Sequence, residues 1–376
     1  MRIVVTGGAG FLGWHLRLRL RALSPDADVL AITRASRSDD LAAAVAAADL
    51  VVHCAGVNRG SESEVEAGNV ALASSLVEAL RRSGSGARLV YANSIQSGQD
   101  SPYGRGKSAA ARTLDQWGAA SGVAVSDVHL PNVYGEHGRP GYNSFVATFA
   151  DRIARGEPVV VDVDRPVGLL HAQDAAQALI DAGRGAGGQS RPEPARRVSV
   201  TQVRDLLSDM HRVYAADGSI PDLRDRFDVT MFNTLRAAMF PSRYPFLPVQ
   251  HTDQRGTLVE SVRVHGGQGQ SFFSSTVPGQ RRGDHFHLDK IERFQVVRGR
   301  GLIRLRRVLA DDYVEFVVDG AQAPVVDMPT GWSHSIENVG DDELLTAFWS
   351  HELHDPERPD TYRDVVVDPA TQRSTA

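Results

Sequence analysis

The run Thr6-Gly7-Gly8-Ala9-Gly10-Phe11-Leu12-Gly13 constrains this chain more than any other feature. It follows the apolar stretch Ile3 to Thr6, which reads as a strand. It leads into Leu12, Leu16, Leu20 and Leu23, which recur at helical spacing. Gly7, Gly10 and Gly13 sit three apart, and Gly8, Gly10 and Gly13 also satisfy G-x-G-x-x-G. Without side chains the backbone turns sharply and approaches a pyrophosphate, while the helix N-terminus presents the amides of Phe11 and Leu12 and a positive potential. The pattern says little alone; its place between a strand and a helix weighs against a plain glycine-rich turn. Gly7, Gly10, Phe11, Leu12 and Gly13 are therefore expected to hold a dinucleotide.

The alternation continues. Val29 to Thr33 reads as a second strand and ends at Arg34. Sites that prefer NAD place Asp or Glu near this point for the ribose 2′-hydroxyl, whereas Arg accommodates a 2′-phosphate. Arg34 thus favours NADPH over the reading of a merely solvated charge. Residues 40–48, 66–82 and 103–121 read as helices, and 50–53, 88–92 and 123–129 as strands. Such βαβ units imply an α/β, Rossmann-like domain with a parallel sheet. Gly183 to Arg197, rich in Gly, Pro, Ser and Arg, reads as a surface loop, and helical patterns return from Val200 to about Ala238.

Pro241, Pro245 and Pro248 then crowd one short segment, which suits a linker. The expected domains are residues 1–245 and 246–376. After about His251 the apolar runs become short: 258–264, 271–277, 294–297, 302–305, 313–318 and 344–349. That is the rhythm of an all-β sandwich or barrel. A length of 376 residues with 42% hydrophobic content suffices for two cores. The net charge of −5 and the lack of a basic block argue against nucleic acid. No apolar stretch is long enough for a bilayer, the N-terminal run is too quickly punctuated for a signal peptide, and Cys54 is the single cysteine. A cytoplasmic protein without membrane partners or internal disulfides is expected.

Two groups of residues carry chemistry. Tyr103 and Lys107 form a Y-x-x-x-K pair at the start of a helix, where positions i and i+4 share a face. An ammonium there would depress the phenol pKa and make it a better proton donor or acceptor. Ser94, at the end of a strand, could bond a substrate oxygen. The pair is common by chance, but its order after the glycine loop, His53-Cys54-Ala55-Gly56 and Ser94 is specific. Farther on, His285 and His287 are two apart, so an extended strand would point both to one face. Glu292 and His334 complete three imidazoles and a carboxylate, a set able to hold a divalent metal. Seven of the 13 histidines lie from His251 to His354, which concentrates ligands in the second domain.

On Gly7 to Gly13, Ala55-Gly56, Ser94, Tyr103 and Lys107, the N-terminal part resembles the extended short-chain dehydrogenase/reductase family. The resemblance implies that Tyr103 is the general acid, Lys107 binds the nicotinamide ribose, Ser94 positions the carbonyl, and Ala55 lines the cofactor. Dehydratases of that family carry an acid pair after the Ser strand. Here Ile95-Gln96-Ser97-Gly98 follows, which leaves reduction, or epimerisation through transient oxidation. The spacing around His285 and His334 resembles the two cupin motifs, with Ala323 standing where a Gly usually begins the second. That implies a double-stranded β-barrel with His285, His287, Glu292 and His334 as ligands. Zinc is the expected ion, although Zn, Mn, Fe and Ni all suit such a set; the competing reading is a metal-free cupin.

The whole chain resembles the bifunctional enzymes of capsular polysaccharide synthesis that make UDP-2-acetamido-2,6-dideoxy-β-L-talose. Its most specific stretches for this are residues 53–59, 93–96, 102–104, 142–144, 292–294 and 348–362. The resemblance implies C3 epimerisation of a UDP-4-keto-6-deoxy-HexNAc in the cupin domain and NADPH reduction at C4 in the other, in a homo-oligomer (dimer or tetramer). Lys290, Asp289 and Glu260 are candidates for the C3 base. Two alternatives stand beside this: an NAD(P)-dependent sugar-nucleotide epimerase with a purely structural cupin, and a regulator that only binds NADP.

Overall fold

The computed structural model describes residues 1–366. Packing divides the chain into two compact units, residues 1–148 with 164–200, and residues 149–163 with 201–376. The proline cluster at 241–248 falls inside the second of these.

The first unit begins β1 (Arg2–Thr6), α1 (Phe11–Leu23), β2 (Asp28–Ile32), α2 (Ser38–Ala46), β3 (Leu50–His53), α3 (Glu62–Ser83), β4 (Arg88–Ser94), α4 (Pro102–Ser121) and β5 (Val125–Leu130). There follow β6 (Asn132–Tyr134), α5 (Phe145–Ala154), whose residues from 149 on belong to the second unit, β7 (Pro166–His171), α6 (Ala172–Arg184), β8 (Gly188–Ser190) and β9 (Arg196–Ser199). A six-stranded parallel sheet runs β2-β1-β3-β4-β5-β8, and β6-β7-β9 form a smaller one. Alternate residues of one strand feed opposite cores. Val4 packs with Val51, Leu89, Leu76 and Leu114, on the side of α3 and α4. Ile3 and Val5 pack with Val52, Val90, Leu16 and Leu179, on the side of α1 and α6. Burial on both faces is why β1 and β3 read as unbroken apolar runs.

Local signals set the helix ends. Ser61 and Glu64 make a capping box at the start of α3, and Gly84 ends it in the left-handed conformation. Ser101 accepts from the Gly104 amide and Pro102 occupies the first turn of α4, which sets Tyr103 in that first turn. The segment 183–197 departs from the expected loop: it supplies β8, at the edge of the main sheet, and the start of β9. β8 is exposed along its whole length. An exposed edge needs no apolar alternation, so periodicity could not show it.

The second unit holds α7 (Val200–Asp217), α8 (Arg226–Met239) and two antiparallel sheets that make up the cupin barrel. One sheet orders strands 270–276, 344–350, 292–298 and 325–328; the other orders 313–319, 300–307, 332–338, 281–286 and 362–363. The apolar run 258–264 is split between strands Gly256–Val259 and Val264–Gly266, each with a different partner. Helices and barrel are joined by a buried polar knot. Arg293 donates to Asp327 through Nε at 2.7 Å and Nη2 at 2.9 Å, and to the Gly218 carbonyl at 2.7 Å. The Tyr214 hydroxyl donates to Asp327 at 2.5 Å and also bonds Tyr244. Arg236 on α8 donates to the Met328 carbonyl at 3.1 Å. Burial pushes the Asp327 carboxyl up, but Arg293 outweighs it and holds it below the usual carboxylate range.

Among the described residues no helix is long and apolar enough to cross a membrane.

Candidate active site and metal centre

The glycine loop lies at the C-terminal ends of β1 and β3, where the strand order reverses, the usual ligand crevice of such sheets. Gly7 has φ +67°, and a Cβ there would come within 2.7 Å of the Ala55 amide nitrogen. A Cβ on Gly13 would lie 2.3 Å from the Gly7 carbonyl oxygen. The Gly10 amide donates to the Gly7 carbonyl at 2.9 Å, and Gly8 to that of Ile32 at 3.1 Å. Gly10 caps α1 without a side-chain hydrogen bond, so the first-turn amides of Phe11 and Leu12 are not met by a capping side chain. These residues fit a dinucleotide: the cradle is a space any side chain would fill, beneath the positive end of a helix. Arg34 is exposed just beyond β2. Gly13→Ala should push the loop outward and weaken NADPH binding by about 1–3 kcal/mol, roughly 5- to 150-fold. A fluorescence titration of NADPH checks this; unchanged affinity would contradict the cradle.

Ser94, Tyr103 and Lys107 come together beside this loop. Burial pushes the Tyr103 phenol pKa up, and the Ser94 side chain draws it back. A phenol with a raised pKa keeps its proton at neutral pH, as a donor must. Lys107 is buried, donates to the Ala92 carbonyl at 2.7 Å and stands 4.1 Å from the Tyr91 ring centroid. Burial lowers its pKa to about 7.

Beneath them lies a polar layer that the sequence reading missed. Asn93 accepts from the Ser94 amide at 2.8 Å and donates to Asp127 at 2.8 Å; Asp127 also meets His129 Nε2 at 2.8 Å. Asn93 pairs in register with His129. A polar residue within each of two buried strands was the available signal. His53 bonds Thr6 at 2.6 Å, and burial lowers its pKa to about 3.

In the second unit, His285, His287, Glu292 and His334 converge, with one potential ligand atom from each lying within 4.8 Å of the others. Glu292 Oε2 stands 3.2 Å from His334 Nε2, 3.3 Å from His287 Nε2 and 3.9 Å from His285 Nε2. The two-residue histidine spacing does not come from one straight strand. Strand 281–286 bulges between Gly283 and His285, with Gly283 at φ +101° and Asp284 at φ +60°, and ends before His287. A Cβ on Gly283 would meet the His334 carbonyl at 2.6 Å, so only glycine fits the bulge.

The donor set fits a divalent metal. His287 Nδ1 lies 2.6 Å from the Asp360 carbonyl and His334 Nδ1 lies 3.2 Å from that of Trp332. Donation from Nδ1 leaves the Nε2 lone pairs facing Glu292, the arrangement metal-binding histidines use. Of the three base candidates, Glu260 pairs with Arg263 at the surface, Asp289 with Arg226 at 3.0 Å, and Lys290 donates to the Pro359 carbonyl and to Thr361 at 3.1 Å.

Residues 3–189 match the NAD dependent epimerase/dehydratase family, and residues 251–362 the polysaccharide biosynthesis C-terminal domain. The chain is 32% identical to the UDP-2-acetamido-2,6-beta-L-arabino-hexul-4-ose reductase of Pseudomonas aeruginosa, over 96% of this chain and 98% of that protein. The crystal structure of the capsular polysaccharide assembling protein CapF from Staphylococcus aureus is similar at 31% identity and a TM-score of 0.62, covering 97% of this chain and 100% of that one. The UDP-glucose 4-epimerase of Thermotoga maritima, solved with UDP-glucose, shares the fold alone, with 20% identity, a TM-score of 0.51, and coverage of 56% of this chain and 82% of that one. With a glycine-loop unit and a histidine-bearing barrel in one polypeptide, the chain belongs to the family of the Pseudomonas hexul-4-ose reductase, two-part enzymes joining an NAD dependent epimerase/dehydratase domain to a polysaccharide biosynthesis C-terminal domain.

Proposed function

We propose that the chain is a bifunctional sugar-nucleotide enzyme of capsule or polysaccharide precursor synthesis. Its cupin domain, residues 246–376, epimerises C3 of a UDP-4-keto-6-deoxy-HexNAc, and its reductase domain, residues 1–245, reduces the C4 ketone with NADPH. The observation that carries this reading is the placement of Tyr103 and Lys107 one turn apart at the start of α4, with Ser94 at the end of β4 and Lys107 buried against the Ala92 carbonyl. The printed name of the Pseudomonas relative, a UDP-linked 4-ulose reductase, supports the substrate class.

Reduced nicotinamide, when bound, supplies the hydride for C4. Tyr103 gives its proton to the ketone oxygen as the alcohol forms, Ser94 orients that oxygen, and Lys107 places positive charge beneath the phenol and takes the ribose hydroxyls. Arg34 receives the 2′-phosphate, while Phe11, Leu12 and the loop glycines receive the pyrophosphate. A divalent metal, with zinc as our choice, when bound supplies positive charge beside a keto oxygen, which acidifies the neighbouring C–H. His285, His287, Glu292 and His334 would hold it. The working form is a homo-oligomer, dimer or tetramer, acting in the cytoplasm.

The test is incubation with the 4-keto sugar nucleotide and NADPH in heavy water, read by product NMR. His287→Ala should lose deuterium exchange at C3 by on the order of 100-fold or more and keep NADPH binding. Full C3 exchange in His287→Ala would remove the cupin from the chemistry. If the wild type never consumes NADPH in net turnover, the chain is an epimerase with a structural barrel.

A further inference from the structure

The segment after the last long barrel strand closes over the metal-ligand turn through a single residue. The Asp360 carboxylate accepts from three successive amides: Leu288 to Oδ1 at 3.0 Å, Asp289 to Oδ2 at 2.9 Å and Lys290 to Oδ2 at 2.6 Å. Its own carbonyl oxygen lies 2.6 Å from His287 Nδ1. The Lys290 side chain returns to the same segment, at the Pro359 carbonyl and at Thr361. Three convergent N–H groups form a nest for an anion, here occupied by a carboxylate of this chain. Asp360 has φ +38°, a conformation Asn also adopts readily, so its side chain can be changed without changing the backbone preference.

We infer that Asp360 is a positioning residue for the metal centre: its carboxylate locks the 287–290 turn, and its carbonyl then fixes the His287 ring with Nε2 facing the cluster. This rests on the reading of His285, His287, Glu292 and His334 as metal ligands. Two features make the link specific. The carbonyl that orients His287 belongs to the backbone and survives any substitution at 360, so the side chain acts only by holding that carbonyl in place. An Asn side chain offers one oxygen and an NH2 group where three amides donate, so at least one amide loses its acceptor. Outer partners of this kind typically alter metal affinity by about 10- to 100-fold.

The full chain is titrated with Co²⁺ alone, whose visible absorption reports the ligand geometry. Asp360→Asn should bind Co²⁺ about 10- to 100-fold more weakly than wild type, with a shifted absorption band, while NADPH affinity is unchanged. Equal Co²⁺ affinity and an identical band in the two proteins would overturn the role of Asp360. A wild type that does not bind Co²⁺ would instead sink the metal reading itself. If Asp360→Asn fails to fold, hydrogen exchange on the wild type decides. Coupling is reciprocal, so Co²⁺ should slow exchange of the Leu288, Asp289 and Lys290 amides by about tenfold or more, and unchanged rates there would reject the inference.

Discussion

Tyr103→Phe is expected to lower the rate of C4 ketone reduction by about 10²–10⁴-fold, the usual contribution of a positioned general acid. The ring stays, so the packing at the start of α4 stays. The hydroxyl goes, and with it the proton for the ketone oxygen. The Ser94 hydroxyl, a far weaker acid, does not replace it. NADPH affinity should remain within a few-fold of wild type, because the cradle is made by Gly7, Gly10 and Gly13 rather than by the phenol. On the proposed division of labour, C3 deuterium exchange should persist in this variant. Single-turnover NADPH oxidation measures the loss. A variant within tenfold of wild type would show that another group delivers the proton.

The second large effect is on folding. Asp327→Asn should destabilise the second unit by about 3–5 kcal/mol, seen as a drop in the urea midpoint of the full chain. Asp327 is wholly buried and takes both arms of the Arg293 fork as well as the Tyr214 hydroxyl. The neutral amide leaves the Arg293 guanidinium desolvated without its counter-charge, and turns an NH2 group toward donors. Replacing Arg293 and Asp327 together by apolar residues of similar volume should cost less than Asp327→Asn alone. The penalty lies in the uncompensated charge rather than in the pair. A single variant as stable as wild type would mean that the knot carries no net energy.

Much of the first unit was legible because its signals are local. The glycine loop, the capping residues of α3 and α4, and the apolar runs of β1 and β3 each declare themselves within a few residues. The edge strand β8 does not, since it pairs through backbone while its side chains stay exposed. In the second unit the ligand types were readable, but their assembly was not. His287 reaches Glu292 only because the strand bulges at Gly283 and a carbonyl 73 residues later orients its ring. Asp327, Asn93 and Asp127 were missed for the same reason: each looks like an ordinary surface polar residue until strands distant in sequence bury it, and Asp360 until the 287–290 turn folds against it. Hydrogen bonds between distant segments leave no period in the sequence to detect.

Cys54 sits beside Ala55 at the cofactor rim, and burial raises its thiol pKa to about 12. Reaction with maleimides or iodoacetamides proceeds through the thiolate, so the native sulfur stays silent at neutral pH. Any cysteine introduced on an exposed face then becomes the sole attachment point for a dye or spin label, and each unit can be watched separately without first stripping out a natural residue.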